Sequence, residues 1–428
     1  MNYTQTLDYL YSKLPMFTRI GAIALKKDLH NTLVLCQHLD NPHHKFKSIH
    51  IAGTNGKGST SHMLAAIFQK AGYKTGLYTS PHLKDFRERI RINGKMVSKA
   101  FVTNFVNEER TLIEKLEPSF FEVTVAMAFS YFAEQQVDIA IIEVGLGGRL
   151  DSTNIITPEL SIITNISLDH THILGDNLAA IAYEKAGIIK SGIPVVIGEK
   201  LSETAPVFIE KAKTTKSDII FAEDNLRTGD THRKQPYLQT SVFRDAELLF
   251  KNINLDLTGT YQLKNVITVL EAVFVLRKLG YYLPDRNIFD ALKSVIKTTG
   301  LQGRWQTLSI DPLVICDTGH NIAGITEVLE NIRQTPHQNL HMVIGMVKDK
   351  DIGGILSLLP KNAYYYFSQP DLERALPANE LAEQARNYNL NGEIARSIPH
   401  ALSLAKEKAN PKDLIFIGGS TFVVAEVL

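Results

Sequence analysis

Cysteine is almost absent from this chain: Cys36 and Cys316 are the only two in 428 residues. They lie far apart and match no metal or redox spacing. That excludes a disulfide framework, a thiolate zinc site and a CxxC redox centre, and leaves buried thiols in a reducing compartment as the expectation. Net charge is equally scarce, +1 from 46 basic and 45 acidic residues. No global basic field therefore recruits nucleic acid or an anionic membrane. No apolar run approaches the roughly 18 residues of a membrane span. Residues 1–8 carry neither a basic stretch nor an apolar core, so no targeting peptide is read there. Short-period repeats and low-complexity segments are missing as well. What remains is ordinary for a globular protein, 44% hydrophobic and 21% charged, in a length that suggests two or three domains. A cytoplasmic monomer that works on small molecules is expected, with no nucleic-acid or membrane partner.

What is present is a glycine-rich turn, Gly53-Thr-Asn-Gly-Lys-Gly-Ser-Thr60, fed directly by the apolar stretch Ser48–Ala52. A strand running into such a turn at a helix N-terminus makes a phosphate cradle. Backbone N–H groups point at the anion, glycines allow close approach, and the helix dipole favours negative charge. Lys57 would reach the β- and γ-phosphates, and Ser59 or Thr60 would hold Mg²⁺. The spacing differs from the ordinary P-loop, because Gly53 and Gly56 are three apart and Gly58 separates Lys57 from Ser59.

Strand-like and helix-like patterns alternate on both sides of this turn. Helical spacing over 61–71 is followed by a strand at 74–78. Helices are read at 101–116 and 121–134, with an Asn93-Gly94 hairpin before them. Near-continuous apolar runs at 137–144, 160–166 and 193–197 read as buried parallel strands. Residues 1–298 thus form a large, doubly wound, mostly parallel P-loop-type α/β domain. Residues 215–258 form a small antiparallel excursion on it, including a piece at 218–222. After a linker at 298–303 the alternation restarts, and residues 299–428 read as a smaller, Rossmann-like α/β domain.

Ligands in open parallel sheets sit beyond the carboxyl ends of the strands. Ser80, Glu143 and Asp169-His170 fall there, with the glycine turn. Glu143 ends an apolar run, where a carboxylate is costly unless it is solvated, paired or bound to metal. With a phosphate loop nearby, a Mg²⁺ ligand is the better reading. His170, with Asp169 and His172, is either structural or a ligand. Lys185 falls on the apolar stripe of a helix at 178–189, so it either snorkels outward or faces inward in an altered state. Arg304 and the strand end Asp317-Thr-Gly-His320-Asn321 could face a cleft. There Arg304 would be a hinge ion pair or would stabilise charge on a transferring phosphoryl group.

Taken in order, these stretches resemble the folylpolyglutamate synthase/dihydrofolate synthase family of Mur-ligase-like, ATP-dependent amide ligases. The matching residues are Gly53–Ser59, Ser80-Pro-His82, Phe121-Glu122, Glu143–Asp151, Leu168-Asp-His170, Glu184–Ile188, Arg304, Asp317, His320-Asn321, Lys348–Asp351 and Arg374–Pro377. One departure is Ile322, where proline is common. The resemblance implies that ATP binds between the domains and phosphorylates a carboxylate of a pterin-bearing substrate. The amine of L-glutamate then attacks the acyl phosphate. The acceptor would be dihydropteroate, tetrahydrofolate or its polyglutamates, or both. By position, Gly53, Thr54, Asn55, Gly56, Lys57, Gly58, Ser59, Asn265, Arg304 and Asp317 would contact ATP. Ser59, Ser80 and Glu143 would hold one Mg²⁺ and His170 a second. Lys185 would be carried as a carbamate, and His320 would lie near the acyl phosphate. Phe121, Glu122, Leu150, Asp151 and Ser152 would line the pterin side, joined by a segment near Ala24-Leu25. The competing expectations are a Mur-type ligase acting on a peptidoglycan precursor and a nucleotide-dependent switch without ligase chemistry.

Overall fold

Alternating apolar strands and amphipathic helices build two parallel-rich sheets, one in each of two units. The computed structural model describes residues 1–16, 21 and 28–428. The segment near Ala24-Leu25 lies outside the described residues. One unit comprises Met1–Asp256 with Gln262–Leu301, the other Leu257–Tyr261 with Gln302–Leu428. The short segment 257–261, read from sequence with the first domain, therefore packs with the second unit.

The first unit is organised around β1 (Ser48–Ala52), β2 (Thr75–Tyr78), β3 (Ile90–Ile92), β4 (Lys95–Met96), β5 (Ile139–Glu143), β6 (Leu160–Ile163), β7 (Val195–Ile197) and β8 (Ile219–Phe221). Their order across the sheet is β4-β3-β2-β5-β1-β6-β7-β8. The six strands from β2 to β8 in that order pair in parallel, and the Asn93-Gly94 hairpin adds β3 and β4 antiparallel at one edge. Every residue of β1, β2, β5, β6 and β7 is buried. Burial on both faces explains why these strands read as unbroken apolar runs. β1 lies between β5 and β6, so chain order reverses there and opens a crevice at the carboxyl edge.

Three departures from the sequence reading have simple causes. The helix after the glycine turn spans Lys57–Lys70 and starts at the turn's lysine, because Gly56 (φ +82°) supplies the left-handed N-cap. Its residues 59–68 are all buried, so no amphipathic stripe marks its first turn. Residues 219–221 belong to the main sheet, where β8 pairs with β7. The antiparallel excursion is instead the three-stranded sheet of β9 (Arg227–Lys234), β10 (Tyr237–Arg244) and β11 (Glu247–Leu255). It is longer and better formed than its polar composition suggested.

The second unit contains β12 (Gln306–Ile310), β13 (Leu313–Cys316), β14 (Leu340–Ile344), β15 (Tyr364–Phe367), β16 (Gly392–Ile394) and β17 (Leu414–Gly418), in the order β12-β13-β17-β14-β15-β16. All pair in parallel except the edge strand β12. Both cysteines are buried and unbridged. Among the described residues, no helix is long and apolar enough to cross a membrane.

The middle of β1 carries His50, which has no exposure. Its Nε2–H donates to Thr153 Oγ1 at 2.8 Å, since that hydroxyl itself donates to Asp151. Burial pulls the His50 pKa down to about 3. The folded chain therefore keeps this imidazole neutral while the unfolded chain protonates it near its ordinary value of 6.5. Stability is fully present above that value and is lost as pH falls toward the folded-state value. Acidifying from pH 7 to pH 5 is expected to cost about 2 kcal/mol through His50 alone. Urea melts of the wild type and His50→Leu across that range check this. The variant should show the flatter dependence, and parallel profiles would assign the acid lability elsewhere.

Candidate active site

The glycine turn leaves β1 and is stitched to the loop that leaves β6. Thr54 N–H donates to the Asn165 carbonyl at 2.9 Å, and Asn55 N–H to Asn165 Oδ1 at 2.8 Å. Thr164 Oγ1 donates to the Asn55 carbonyl at 2.6 Å, and Thr54 Oγ1 to the Ser167 carbonyl at 3.1 Å. Neighbouring side chains leave no room for a side chain at Gly53 or Gly56. A Cβ at Gly53 (φ +148°) would sit 1.8 Å from Thr164 Oγ1, and one at Gly56 2.3 Å from Asn265 Oδ1. Glycine is thus required at both places by backbone angle and by space. Gly56 also has no side chain to offer the helix, so the first amides of Lys57–Lys70 point outward as anion donors. Sequence reasoning missed Thr164, Asn165 and Ser167; their signal is a polar run directly after a buried strand.

Two ammonium groups meet on one carbonyl. Lys57 Nζ donates to Gly53 O at 3.0 Å and to Thr54 O at 3.2 Å. Lys185 Nζ donates to the same Gly53 O at 2.9 Å. Lys185 closes the helix Leu178–Ala186 and is 3% exposed, so it faces inward and does not snorkel. Burial and the nearby Lys57 charge pull its pKa down to about 7, against the opposing pull of Asp169 and Asp151. The helix end carrying it is held by a second glycine loop, Gly145-Leu-Gly-Gly-Arg149. Arg149 N–H donates to the Glu184 carbonyl at 2.7 Å, and a Cβ at Gly148 would come within 3.0 Å of the Glu184 and Lys185 carbonyls.

Glu143 ends β5, directly beside Ile51 of β1, and is 5% exposed. Its Oε2 accepts from Ser80 N–H at 3.2 Å, which joins it to the loop after the neighbouring strand β2. Ser59, on the first turn after the loop, is 1% exposed, and its Oγ accepts from Gln262 Nε2 at 3.1 Å. Gln262 Oε1 in turn accepts from Asn265 Nδ2 at 2.8 Å. Serine hydroxyls and one carboxylate are hard oxygen donors that leave positions for water and phosphate oxygens, as Mg²⁺ requires. Among the described residues no three His, Cys, Asp or Glu side chains cluster as a self-sufficient metal cage. A metal completed by a bound phosphate fits that donor set. His170, left-handed at φ +51°, sits where the short helix Thr171–Leu174 begins, with its Nε2 3.9 Å from Asp169 Oδ1.

Two of the residues expected on the pterin side, Phe121 and Asp151, meet at the loop that follows Glu143. A Cβ at Gly145 would lie 2.5 Å from the Phe121 ring and 3.2 Å from Asp151 Oδ2, so those two groups flank the loop. Asp151 is buried; its carboxylate accepts from Leu146 N–H at 2.9 Å and Thr153 N–H at 3.0 Å. Burial pushes its pKa up, and those hydrogen bonds pull it back. Glu122 is 2% exposed and has a structural task as well, since its Oε2 takes Ser119 N–H at 2.6 Å in the capping box of Phe120–Glu134. Leu150 is half-buried and Ser152 buried, just after this loop.

In the second unit Asp317 follows β13 and is 3% exposed. Arg304 reaches the Gly303 carbonyl at 3.3 Å and also the Thr318 hydroxyl. His320 Nδ1–H donates to the Thr318 carbonyl at 2.9 Å, which fixes the ring beside the strand end that carries Asp317. The stretches 348–351 and 374–377, far apart in sequence, come together. Lys348 N–H donates to the Arg374 carbonyl at 3.0 Å, and Arg374 pairs with Asp349 at 2.8 Å.

Known proteins with this arrangement are numerous. Residues 51–273 match the model of the Mur ligase middle domain, and residues 303–421 that of the Mur ligase glutamate ligase domain. The folylpolyglutamate synthase of Lacticaseibacillus casei is 32% identical over 437 residues, covering 100% of this chain and 98% of that protein. A probable bifunctional folylpolyglutamate synthase/dihydropteroate synthase of Haloferax volcanii is also 32% identical, over 442 residues; this chain spans 50% of its length. Among solved structures, Escherichia coli FolC in complex with DHPP and ADP superposes with a TM-score of 0.87 at 29% identity, covering 100% of this chain and 97% of that one. A bifunctional folylpolyglutamate synthase/dihydrofolate synthase with Mn, AMPPNP and L-glutamate bound gives 0.85 at 28% identity, with 100% and 97% covered. Matches of this length and on both units set aside a peptidoglycan ligase and a bare nucleotide switch, and the chain belongs to the folylpolyglutamate synthase/dihydrofolate synthase family.

Proposed function

We propose that this protein is an ATP-dependent ligase that joins L-glutamate to dihydropteroate, to tetrahydrofolate and its glutamates, or to both. The observation that carries this reading is the meeting of Lys57 and Lys185 on the Gly53 carbonyl, at the mouth of a phosphate loop flanked by Glu143 and Ser80. The amides opening Lys57–Lys70 hold the β- and γ-phosphates, and Lys57 exchanges its loop carbonyls for phosphate oxygens. Ser59, Ser80 and Glu143 would hold one Mg²⁺, which supplies charge neutralisation on the phosphates. His170 would support a second. Asn265 and, from the second unit, Arg304 and Asp317 contact the nucleotide. Phe121, Glu122, Leu150, Asp151 and Ser152 hold the pterin.

The chemistry needs alignment and charge compensation more than a protein nucleophile. The substrate carboxylate takes the γ-phosphoryl group and ADP departs. The glutamate amine then attacks the acyl carbon, losing a proton as phosphate leaves and the amide forms. His320, held by the Thr318 carbonyl in the second unit, is the residue assigned to the neighbourhood of the acyl phosphate.

Lys185 suits conversion to a carbamate. A pKa pulled down to about 7 gives a sizeable neutral fraction at neutral pH. The neutral amine adds to carbon dioxide, forming an N–C bond and releasing a proton, and the site changes from cation to anion. That anion relieves the repulsion from Lys57 and provides oxygen ligands for a second cation.

Purified protein given ATP, Mg²⁺ and glutamate is expected to form an amide product with dihydropteroate or tetrahydrofolate offered separately. ATP hydrolysis without amide product from either acceptor would sink the assignment. Lys185→Ala is expected to lower ligation by about 10²-fold or more while the thermal midpoint stays within a few degrees. Isotope-labelled bicarbonate should give a carbamate resonance in wild type and none in Lys185→Ala; near-normal turnover would remove the carbamate. Glu143→Gln should lose Mg²⁺-dependent turnover, and an unchanged Mg²⁺ titration would move the metal elsewhere.

A further inference from the structure

Tyr261 has no part in the reading above, yet its surroundings fix its phenol with unusual completeness. Its ring fits because residue 259 is glycine: a Cβ there would lie 2.7 Å from the Tyr261 ring and 3.1 Å from Trp305 Cβ. On its amino side, the fully buried Asn331 clasps Thr260 in both directions. Thr260 N–H donates to Asn331 Oδ1 at 2.9 Å, and Asn331 Nδ2 donates to Thr260 Oγ1 at 3.0 Å. On its carboxyl side the chain passes into the other unit, where Gln262 donates to Ser59 Oγ. Residue 261 is thus anchored one residue before and one residue after.

The phenol donates to Asp317 Oδ2 at 2.5 Å, and Trp305 N–H donates to the same oxygen at 2.7 Å. The other oxygen, Oδ1, accepts from Gly319 N–H at 2.8 Å. A carboxylate oxygen takes about two donors. Oδ2 is therefore saturated from within the protein, and Oδ1 keeps one acceptor position.

We propose that Tyr261 is a positioning residue: by filling Oδ2 of Asp317 with Trp305 N–H, it turns Oδ1 toward a hydroxyl or amino donor of the bound nucleotide. This rests on Asp317 as a nucleotide contact. Without the phenol, Oδ2 competes for the ligand's donor and the carboxylate can rotate. The ligand then loses a well-aligned hydrogen bond to a charged acceptor, while the phosphate loop and the carboxylate-activating groups are untouched.

Tyr261→Phe keeps the ring and removes only the donor. It is expected to raise KM for ATP about tenfold with kcat within about twofold, the size of one charge-assisted hydrogen bond. Asp317→Asn should weaken ATP similarly, and the double variant should lose no more than the worse single, because both break one bond. ADP titration gives a second readout, since Trp305 is the only tryptophan in the chain and its backbone touches the same oxygen. Its emission should report ADP binding weakened about tenfold in Tyr261→Phe. A wild-type KM for ATP in Tyr261→Phe, or losses that multiply in the double variant, would overturn the proposal. Loss of kcat together with thermal stability would instead mark Tyr261 as structural and overturn it too. If wild type forms no amide product but ADP still perturbs Trp305 and Tyr261→Phe weakens it, the ligase reading falls and this inference stands.

Discussion

One backbone carbonyl, that of Gly53, sets the character of the site. It receives two ammonium groups, from Lys57 on the phosphate loop and Lys185 on a helix 132 residues away in sequence. Two like charges on one dipole are tolerable only while something anionic is near or one of them gives up its proton. The first condition is met in part by Asp169 and Asp151, whose charges act on Lys185. The second accords with the pKa of Lys185, pulled down by burial and by the Lys57 charge. Both require Gly53 to present its carbonyl at an angle that only glycine adopts, against a threonine that excludes any side chain. The stitching of the turn to Thr164, Asn165 and Ser167 keeps that carbonyl in place.

Much of this was legible in the sequence because a parallel sheet makes it so. Strands buried on both faces appear as apolar runs, and the polar residue ending each run falls on the carboxyl edge. Glu143 is the clearest case: the run 139–142 announces the strand, and the carboxylate announces its end. Lys185 was visible only as an anomaly on an apolar stripe. That it faces inward depends on the second glycine loop packing over its helix end, which periodicity does not encode. The second unit's alternation was equally readable, apart from its edge strands. β12 is half-exposed and β16 fully exposed, so neither carries the apolar signature. β8 was read as a β piece but placed in the antiparallel excursion, because an edge strand of three partly buried residues carries no sign of which sheet it joins.

What could not be read at all were the side chains that hold other side chains. Gln262 at the start of a helix and Tyr261 just before it look like ordinary helix-entry residues. Their meaning lies in partners 203 residues back and 56 residues forward. Thr318 stands in the sequence as a spacer between Asp317 and His320, yet its hydroxyl and carbonyl serve Arg304 and His320 respectively. The chemistry-bearing groups of such a site are few and stand at strand ends. The groups that aim them come from anywhere in the chain, and only the fold reveals them.

The loop from Gly145 to Arg149 lies so close to its neighbours that its glycines have almost no freedom to change. Gly145 is hemmed in by Phe121 and Asp151, Gly148 by two helix carbonyls, and the facing Gly187 by the backbone of Arg149. Substitutions there would displace the groups beside Glu143 and Lys185 at once. An inhibitor that drew its grip from the backbone of this loop would meet a surface with few routes of escape, since resistance mutations at these glycines would disable the enzyme along with the drug's foothold.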